Sequence, residues 1–480
     1  MANSTMVIET VFTQGVAHLS YLIGDRKTGK AAVIDPRRDV DVYLSLARKH
    51  KLAITHVLET HIHADFVSGT RELCARTASA KAFLSVEGGA KYGFKCEKLK
   101  DGDTIDLGRV ILTAKHTPGH TPEHMSFIAS EGNRPEQPFA IFSGDCLFAD
   151  SVGRPDLLGE DATEGLAAQL YRSLYDLYLA LSDGVLVYPA HGSGSPCGAN
   201  ISDRLVSSIG YERRNNEALQ FKDEAKFIDY VLQHAPPEPV YYPRMKKINA
   251  DGPEVLGRLP SFQPLPPHEF AAVIKNSNNQ LVDNRQMRGF GGGHISGALN
   301  IGPRAELSIW AGWILDPQKP ILLVLDDAAD LPEVQRQLLR VGFSEFAGYL
   351  LGGMEQWDNK ALPISKLDQM SVHELNTAVP QGDLQIVDVR SPDEWQDGHV
   401  PTATYIFLPE LAKKAKRLDK NKPVAVYCDS GYRASLAASI LKRDGFSTVH
   451  NIPGSWKAWQ ASEYAVEEPT EQKKSSDTDR

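Results

Sequence analysis

Short apolar runs separated by polar loops dominate the first half of the chain. Strands are predicted at Ser20 to Leu22, Ala31 to Ile34, Ile54 to Glu59, Val110 to Ala114, Phe139 to Ser143 and Val185 to Tyr188. Helical patterns fall near Val40 to His50, Ser68 to Ala78 and Gly165 to Leu181. Pro236, Pro237, Pro239 and Pro243 break up the region after the last of these, and Gly252 to Pro267 reads as a linker.

Beyond the linker the pattern repeats itself at a period of roughly 103 residues, well above the solenoid range. Leu281-Val-Asp-Asn-Arg285 returns as Ile386-Val-Asp-Val-Arg390, and Lys319 to Leu325 returns as Lys422 to Cys428. Gly293 to Ala298 returns as Gly398 to Ala403, and Gly352 to Trp357 as Gly454 to Trp459. In each copy short apolar strands alternate with helices, which implies a parallel α/β sheet. Polar Glu467 to Arg480 reads as a disordered tail.

Bulk properties narrow the function classes. A chain of 480 residues exceeds one ordinary core. A net charge of -9 argues against a nucleic-acid or anionic-membrane surface. No apolar run is long enough to span a bilayer. The N-terminus has no basic segment followed by an apolar core, which reads against a secretory signal. Five widely separated cysteines do not make a disulfide framework, so a reducing cytoplasm is expected.

Candidate chemistry gathers where apolar runs end. Thr60-His61-Ile62-His63-Ala64-Asp65-Phe66 follows the run Ile54 to Leu58. His120 lies in Gly119-His120, Asp145 ends Ala140 to Asp145, and His191 ends Val185 to His191. Strands that each finish in a ligand-type residue place those residues along one rim of a sheet, as a metal site requires. His116 and His124, flanked by Pro and Gly, read as structural.

In order and loop context, His61, His63, Asp65, His120, Asp145 and His191 resemble the metallo-β-lactamase fold superfamily, whose pattern is H-x-H-x-D-H, then G-H, a bridging Asp and a final His. Phe66 stands where that pattern has a ligand for a second metal. A binuclear hydrolytic centre is thereby weakened. One metal held by two imidazoles and a carboxylate favours non-heme Fe(II). With the segment Asp150-Ser-Val-Gly-Arg154, the site is similar to persulfide dioxygenases. That resemblance implies one Fe(2+) per chain, held by His61, His120 and Asp145. It makes His63, Asp65 and His191 residues that orient the ligands or face the persulfide, and Arg154 one that positions the thiol substrate; the plainer reading of Arg154 is a surface ion pair. After the final histidine the glutathione-using members carry Asp-Tyr, whereas this chain has His191-Gly-Ser-Gly-Ser-Pro-Cys197. Cys197 reads equally as a persulfide carrier or as an inert small side chain.

A second chemistry lies in the second repeat. Cys428-Asp-Ser-Gly-Tyr-Arg433 sits between the apolar run Val424 to Tyr427 and the helical run Ala434 to Lys442. A strand–loop–helix turn of this kind points N–H groups and a helix N-terminus at the sulfur, which stabilises a thiolate. Gly431 lets the backbone curl, and Arg433 adds positive charge, so Cys428 is a candidate nucleophile. With Asp388, Arg390, Gly398-His399 and Gly454 to Trp459, the loop resembles the rhodanese sulfurtransferases. The first repeat has Leu325 followed by Asp326-Asp327 in place of the cysteine and reads as catalytically dead. His294 and His399 read as structural.

The expected architecture is multidomain α/β. It comprises an αββα metallo-β-lactamase-fold dioxygenase domain over 1–250, a linker over 251–266, a degenerate rhodanese-like domain over 267–363, an active rhodanese domain over 364–465 and a disordered tail over 466–480. The whole resembles persulfide dioxygenase–sulfurtransferase fusions. The implied partners are thiol persulfides, O2, sulfite and thiosulfate, with no nucleic acid or membrane, and family habit implies a homo-oligomer. Two rivals stand beside it: a zinc-dependent thioester hydrolase similar to glyoxalase II, and a non-catalytic sulfur carrier or sensor.

Overall fold

A computed structural model describes residues 5–468. The chain divides into two compact units. The first comprises the residues up to Pro260 together with 311–313 and 335–343, and the second comprises the remainder.

The first unit is built on two six-stranded mixed sheets. One runs in chain order through Met6–Thr13, His18–Asp25, Lys30–Ile34, Ala53–Leu58, Lys81–Ser85 and Glu97–Leu99. The other orders Ser207–Ser208, Leu186–Pro189, Arg134–Gly144, Met125–Glu131, Val110–His116 and Thr104–Asp106. Alternation along the strands sends Tyr21, Ile23 and Ala32 from one sheet, and Leu112, Phe127 and Phe142 from the other, into one buried core. The opposite face of the first sheet buries Leu22, Val33 and Val57 against Tyr43 and Ala47 of helix Asp41–His50. The opposite face of the second buries Ile141 and Val187 against Leu170 of helix Glu160–Arg172 and Phe227 of helix Glu224–Gln233. The result is the four-layer αββα order expected from the resemblance.

Local departures from the expectation have physical causes. The helix predicted over Gly165 to Leu181 starts at Glu160 and is α-helical only to Arg172. A wider turn over Ser173–Leu177 and a tighter one over Tyr178–Ala180 complete it. The proline-rich region holds helix Tyr242–Asp251, because Pro243 sits in the first turn, where its missing N–H costs nothing. The stretch following Gly252 has no helix or strand before Pro264. It is nevertheless tied down: Arg71 donates to the Gly252 and Pro253 carbonyls, and Glu72 accepts from the Leu256 and Gly257 N–H groups.

The second unit holds two five-stranded, all-parallel sheets of the same order. Pro264–Leu265, Phe346–Leu350, Ile321–Val324, Gln280–Asp283 and Leu299–Asn300 make one. Asp368–Gln369, Val449–Asn451, Val424–Tyr427, Gln385–Asp388 and Thr404–Tyr405 make the other. The repeat extends to buried ion pairs. Arg285 and Arg390 each grip the aspartate two residues earlier, Asp283 or Asp388, at 2.7 Å, and each donates to a glycine carbonyl, Gly293 or Gly398. His294 and His399 stack on Phe290 and Trp395. Order extends into the start of the expected tail: Glu467 exchanges two backbone hydrogen bonds with His399, each 2.9 Å. Residues 469–480, the rest of that tail, lie outside the described residues.

Candidate metal centre and thiol loop

The metal-type residues converge because five strand ends meet at one rim. Asp35 follows strand Lys30–Ile34, His61 lies three residues past strand Ala53–Leu58, and Asp145 follows Arg134–Gly144. His191 lies just past Leu186–Pro189, and His120 sits in the turn between Val110–His116 and Met125–Glu131.

Hydrogen bonds fix how each ring presents itself. Asp35 accepts both the Thr60 N–H at 2.7 Å and the Thr60 hydroxyl at 2.9 Å. With its proton so committed, the Thr60 hydroxyl oxygen accepts from His61 Nδ1–H at 2.9 Å, which leaves His61 Nε2 as a free lone pair. His120 Nδ1–H donates to the Arg154 carbonyl at 2.8 Å, with the same consequence at its Nε2. Asp145 Oδ1 accepts from His191 Nδ1–H at 2.8 Å, which leaves Oδ2. These three remaining atoms, His61 Nε2, His120 Nε2 and Asp145 Oδ2, are buried and have no hydrogen-bond partner. Asp145 Oδ2 lies 3.8 Å from the first and 3.4 Å from the second. Donors about 2.0–2.2 Å from a common ion sit about 3.4 Å from one another in a tetrahedral arrangement. Burial holds the His61 and His120 imidazoles below the usual histidine range, the neutral state a ligand needs. The donor set therefore fits a single metal ion.

Thr60→Val tests this wiring. It removes the acceptor for His61 Nδ1–H and should weaken metal affinity by about 10- to 100-fold. Metal competition against a chromogenic chelator measures it, and an unchanged affinity would count against the role of Thr60.

The residues that serve a second metal in binuclear sites are engaged with one another. His191 Nε2 donates to Asp65 Oδ2 at 2.8 Å. Burial disfavours charge on His191, yet the Asp145 and Asp65 carboxylates hold its imidazole well above the usual range. Phe66 is buried and packs at 4.1 Å from the His18 ring and 4.5 Å from the His63 ring. His63 turns its Nε2 to Asp35 and Glu59, 3.1 Å from each. Against the cost of burial, those two carboxylates push it up to about 10.

Two other predicted residues, Arg154 and Cys197, are both buried. The Arg154 guanidinium is no surface pair: it is buried, grips Asp156 through two 2.7 Å bonds and donates to the Pro196 carbonyl. Its carbonyl, not its charge, meets the metal-type residues, through His120. Cys197 is buried 3.7 Å from the Tyr242 hydroxyl, and burial pushes its thiol up to about 11. It lies within ligand range of Asp65 and His191.

The structure adds residues that sequence reasoning did not assign. Asn249, on helix Tyr242–Asp251, donates to the His63 and Phe66 carbonyls and accepts from the Ser68 N–H, and so fastens the ligand loop. Nothing in its local pattern marks it. Asp35 stands at φ 51°, a left-handed conformation that turns its carboxylate to Thr60. His124, read as structural, accepts the Asp145 N–H, and burial drops it to about 3.

In the second unit the cysteine loop has the predicted cradle. Cys428 follows strand Val424–Tyr427, and helix Tyr432–Arg443 starts behind it. Gly431 stands at φ 101°, where a side chain would be strained and a Cβ would meet Met287 and Pro453. Its N–H points at Cys428 Sγ, 3.1 Å away. Ser455 accepts the Cys428 N–H at 3.1 Å. Arg433 makes two 2.6 Å bonds to Glu394, so its charge braces the loop from behind. In the first repeat the buried Leu325 ends strand Ile321–Val324, and Asp327 caps the turn at Ala329.

Glu394 gives a pH prediction. Despite partial burial, Arg433 pulls it down to about 2, from an ordinary value near 4.5. A depressed carboxylate contributes stability fully above about pH 4.5 and loses it as pH falls through about 2. Glu394→Gln should flatten that acid limb in urea midpoints measured between those pH values. An identical limb would show that Arg433 is braced by something else.

An αββα domain in which His61, His120 and Asp145 turn three open donor atoms toward one another, joined to a repeat with a thiol cradle, defines a metal-binding fold coupled to a sulfurtransferase-type module. Residues 13–191 match the metallo-beta-lactamase superfamily, and residues 266–360 and 371–462 each match the rhodanese-like domain family. The chain is similar to a crystal structure of a metallo-beta-lactamase from Staphylococcus aureus, with a TM-score of 0.65 and 33% identity over 72% of this chain and 99% of that one. It is 29% identical to the mitochondrial persulfide dioxygenase ETHE1 of Bos taurus, over 46% of this chain and 80% of the relative. It is 30% identical to a hydroxyacylglutathione hydrolase of a Polaromonas species, over 48% of this chain and 88% of the relative. The chain belongs to the metallo-beta-lactamase superfamily and carries two rhodanese-like domains behind that domain.

Proposed function

We propose that this protein oxidises low-molecular-weight thiol persulfides to sulfite at a single ferrous ion and passes further sulfane sulfur through Cys428 to make thiosulfate. One observation carries the reading: His191 Nε2 donates to Asp65 Oδ2 beside the bulk of Phe66, while His61, His120 and Asp145 keep three open donor atoms, two imidazole and one carboxylate. Similarity to ETHE1, named a persulfide dioxygenase, supports it.

The overall conversion is RSSH + O2 + H2O → RSH + SO3(2−) + 2 H+. A bound ferrous ion would supply the redox chemistry that joins dioxygen to sulfane sulfur. The chain supplies the rest. His61, His120 and Asp145 would hold the ion, while Thr60 and the Arg154 carbonyl keep the two imidazoles oriented. The buried surroundings exclude bulk water. In the other module the Cys428 thiolate attacks the outer sulfur of a second persulfide, forms a cysteine persulfide and releases RS−. Sulfite then takes that outer sulfur, the S–S bond breaks, and thiosulfate leaves with Cys428 regenerated. The Gly431 N–H stabilises negative charge at Cys428 Sγ throughout. Covalent tethering of the modules keeps the sulfite produced at one near the other. The five cysteines are free thiols, which suits a reducing cytoplasm, and among the described residues no helix is long and apolar enough to cross a membrane. Family habit points to a homo-oligomer.

The rival is a zinc thioester hydrolase, favoured by the 30% identity to a hydroxyacylglutathione hydrolase. Anaerobic iron reconstitution followed by an oxygen electrode decides between them. Persulfide-dependent O2 uptake is expected. Thioester cleavage by the zinc form with no O2 uptake by the iron form would reverse the assignment.

A further inference from the structure

His18 has no role in the chemistry above, yet the fold takes care to place it. It opens strand His18–Asp25 and forms an antiparallel bridge with His191. Two backbone hydrogen bonds pin it there: the Leu19 N–H donates to the Ala190 carbonyl at 2.7 Å, and the Gly192 N–H donates to the Ala17 carbonyl at 2.9 Å. Its ring centroid lies 5.5 Å from that of His191, 5.7 Å from that of His63 and 4.1 Å from that of Phe66. The ring is 0% exposed, and neither nitrogen has a hydrogen-bond partner. Among the described residues it is the one buried imidazole left open at both ends.

If the ring only filled space beside Phe66, a phenylalanine would do so without burying two unsatisfied polar atoms. Asp65 Oδ1, on the ligand loop, is also buried without a partner. Unpartnered buried polar atoms on two elements at the same rim mark a place where a small polar molecule completes the hydrogen bonding. A neutral imidazole offers one N–H donor and one lone pair. Burial, with the nearby His191 and His63 charges, keeps His18 neutral. Such a ring can donate to a sulfur oxyanion and accept from an S–H.

We propose that His18 contacts the reacting end of the substrate: its N–H donates a hydrogen bond to the sulfite oxygens as they form, and its lone pair receives the S–H of the entering persulfide. This rests on the persulfide reading above. It places a substrate contact on the side of the site where binuclear relatives keep a second metal.

The test uses the full-length, iron-loaded protein with iron content measured in every variant. His18→Phe keeps a ring against Phe66 and removes both nitrogens, His18→Leu is a second donor-free variant read the same way, and His18→Gln restores a donor. Two readouts are taken: anaerobic calorimetric titration with sodium sulfite, and steady-state O2 uptake with glutathione persulfide. At unchanged iron content, the donor-free variants should weaken sulfite binding and raise KM by about tenfold, the loss of one hydrogen bond. His18→Gln should recover to within about threefold of the parent. Parent-like sulfite binding and KM in the donor-free variants would overturn the proposal. So would equal impairment of the glutamine variant, or a parent protein that binds no sulfite. If the parent consumes no O2 with the persulfide, the functional reading fails by itself, and the sulfite titration alone decides the role of His18.

Discussion

Cys428→Ser is expected to leave persulfide-dependent O2 uptake unchanged while the sulfur product shifts from thiosulfate to sulfite. Cys428 follows strand Val424–Tyr427 in the second unit, whereas His61, His120 and Asp145 belong to the first, so the substitution alters none of the candidate metal donors. Serine fits the same space and still receives the Gly431 N–H. Its oxygen, however, cannot carry sulfane sulfur as a persulfide. Loss of a covalent nucleophile removes catalysis by more than about a thousandfold. Quantifying sulfite and thiosulfate against O2 consumed, with the uncatalysed reaction of sulfite and persulfide subtracted, measures the shift. Unchanged thiosulfate output would move sulfur transfer to another residue. It would also revive the view of Cys428 as a passive carrier.

Asp145→Asn should abolish O2 uptake and reduce bound iron to less than about a tenth of one ion per chain. The carboxylate does two jobs at once. Oδ1 holds the His191 Nδ1–H at 2.8 Å, and Oδ2 is the open donor toward His61 and His120. The asparagine amide has one carbonyl oxygen and must abandon one of these. It also removes a buried charge beside His191. Although burial opposes it, Asp145 is held well below the usual carboxylate range by His191, His61 and His120. Breaking such a buried pair costs about 3–5 kcal/mol, so a lower melting temperature accompanies the lost metal. Iron analysis and calorimetry check both effects. An Asn variant that keeps one iron and full turnover would show that Asp145 is not a ligand.

Much of this site was legible in the chain. His61 and Asp145 follow apolar runs, His120 lies in the turn after one, and the resemblance to the metallo-β-lactamase pattern is what grouped the three. Phe66 declared its consequence in one letter, since a phenyl ring has no donor. The internal repeat was equally plain, because matching segments such as Ile321–Val324 and Val424–Tyr427 carry the same pattern of buried residues. Local pattern does not report which atom of a ligand is free, and that was missing. The roles of Asp35 and Asn249 rest on contacts across 25 and 186 positions, to Thr60 and His63. The burial of Arg154 was not legible either: its guanidinium is taken up by Asp156 two residues on and by the Pro196 carbonyl 42 positions away.

By itself the sequence determined the layered α/β architecture, the tandem repeat, the strand-end donors and the one thiol set between strand and helix. The repeat, the donors and the thiol follow from periodicity and residue chemistry, which are local properties, and the layer order of the first domain follows from the resemblance those motifs carry. Tertiary structure alone decided that Thr60 and the Arg154 carbonyl set the tautomers of His61 and His120. It also decided that Asp65 and His191 occupy each other and that His18 is left buried and unpartnered beside them. Thr60 and His61 are neighbours, but Asp35 aims the Thr60 hydroxyl from 25 positions away, and the other bonds join or withhold contacts between distant strand ends that meet only once the chain has folded.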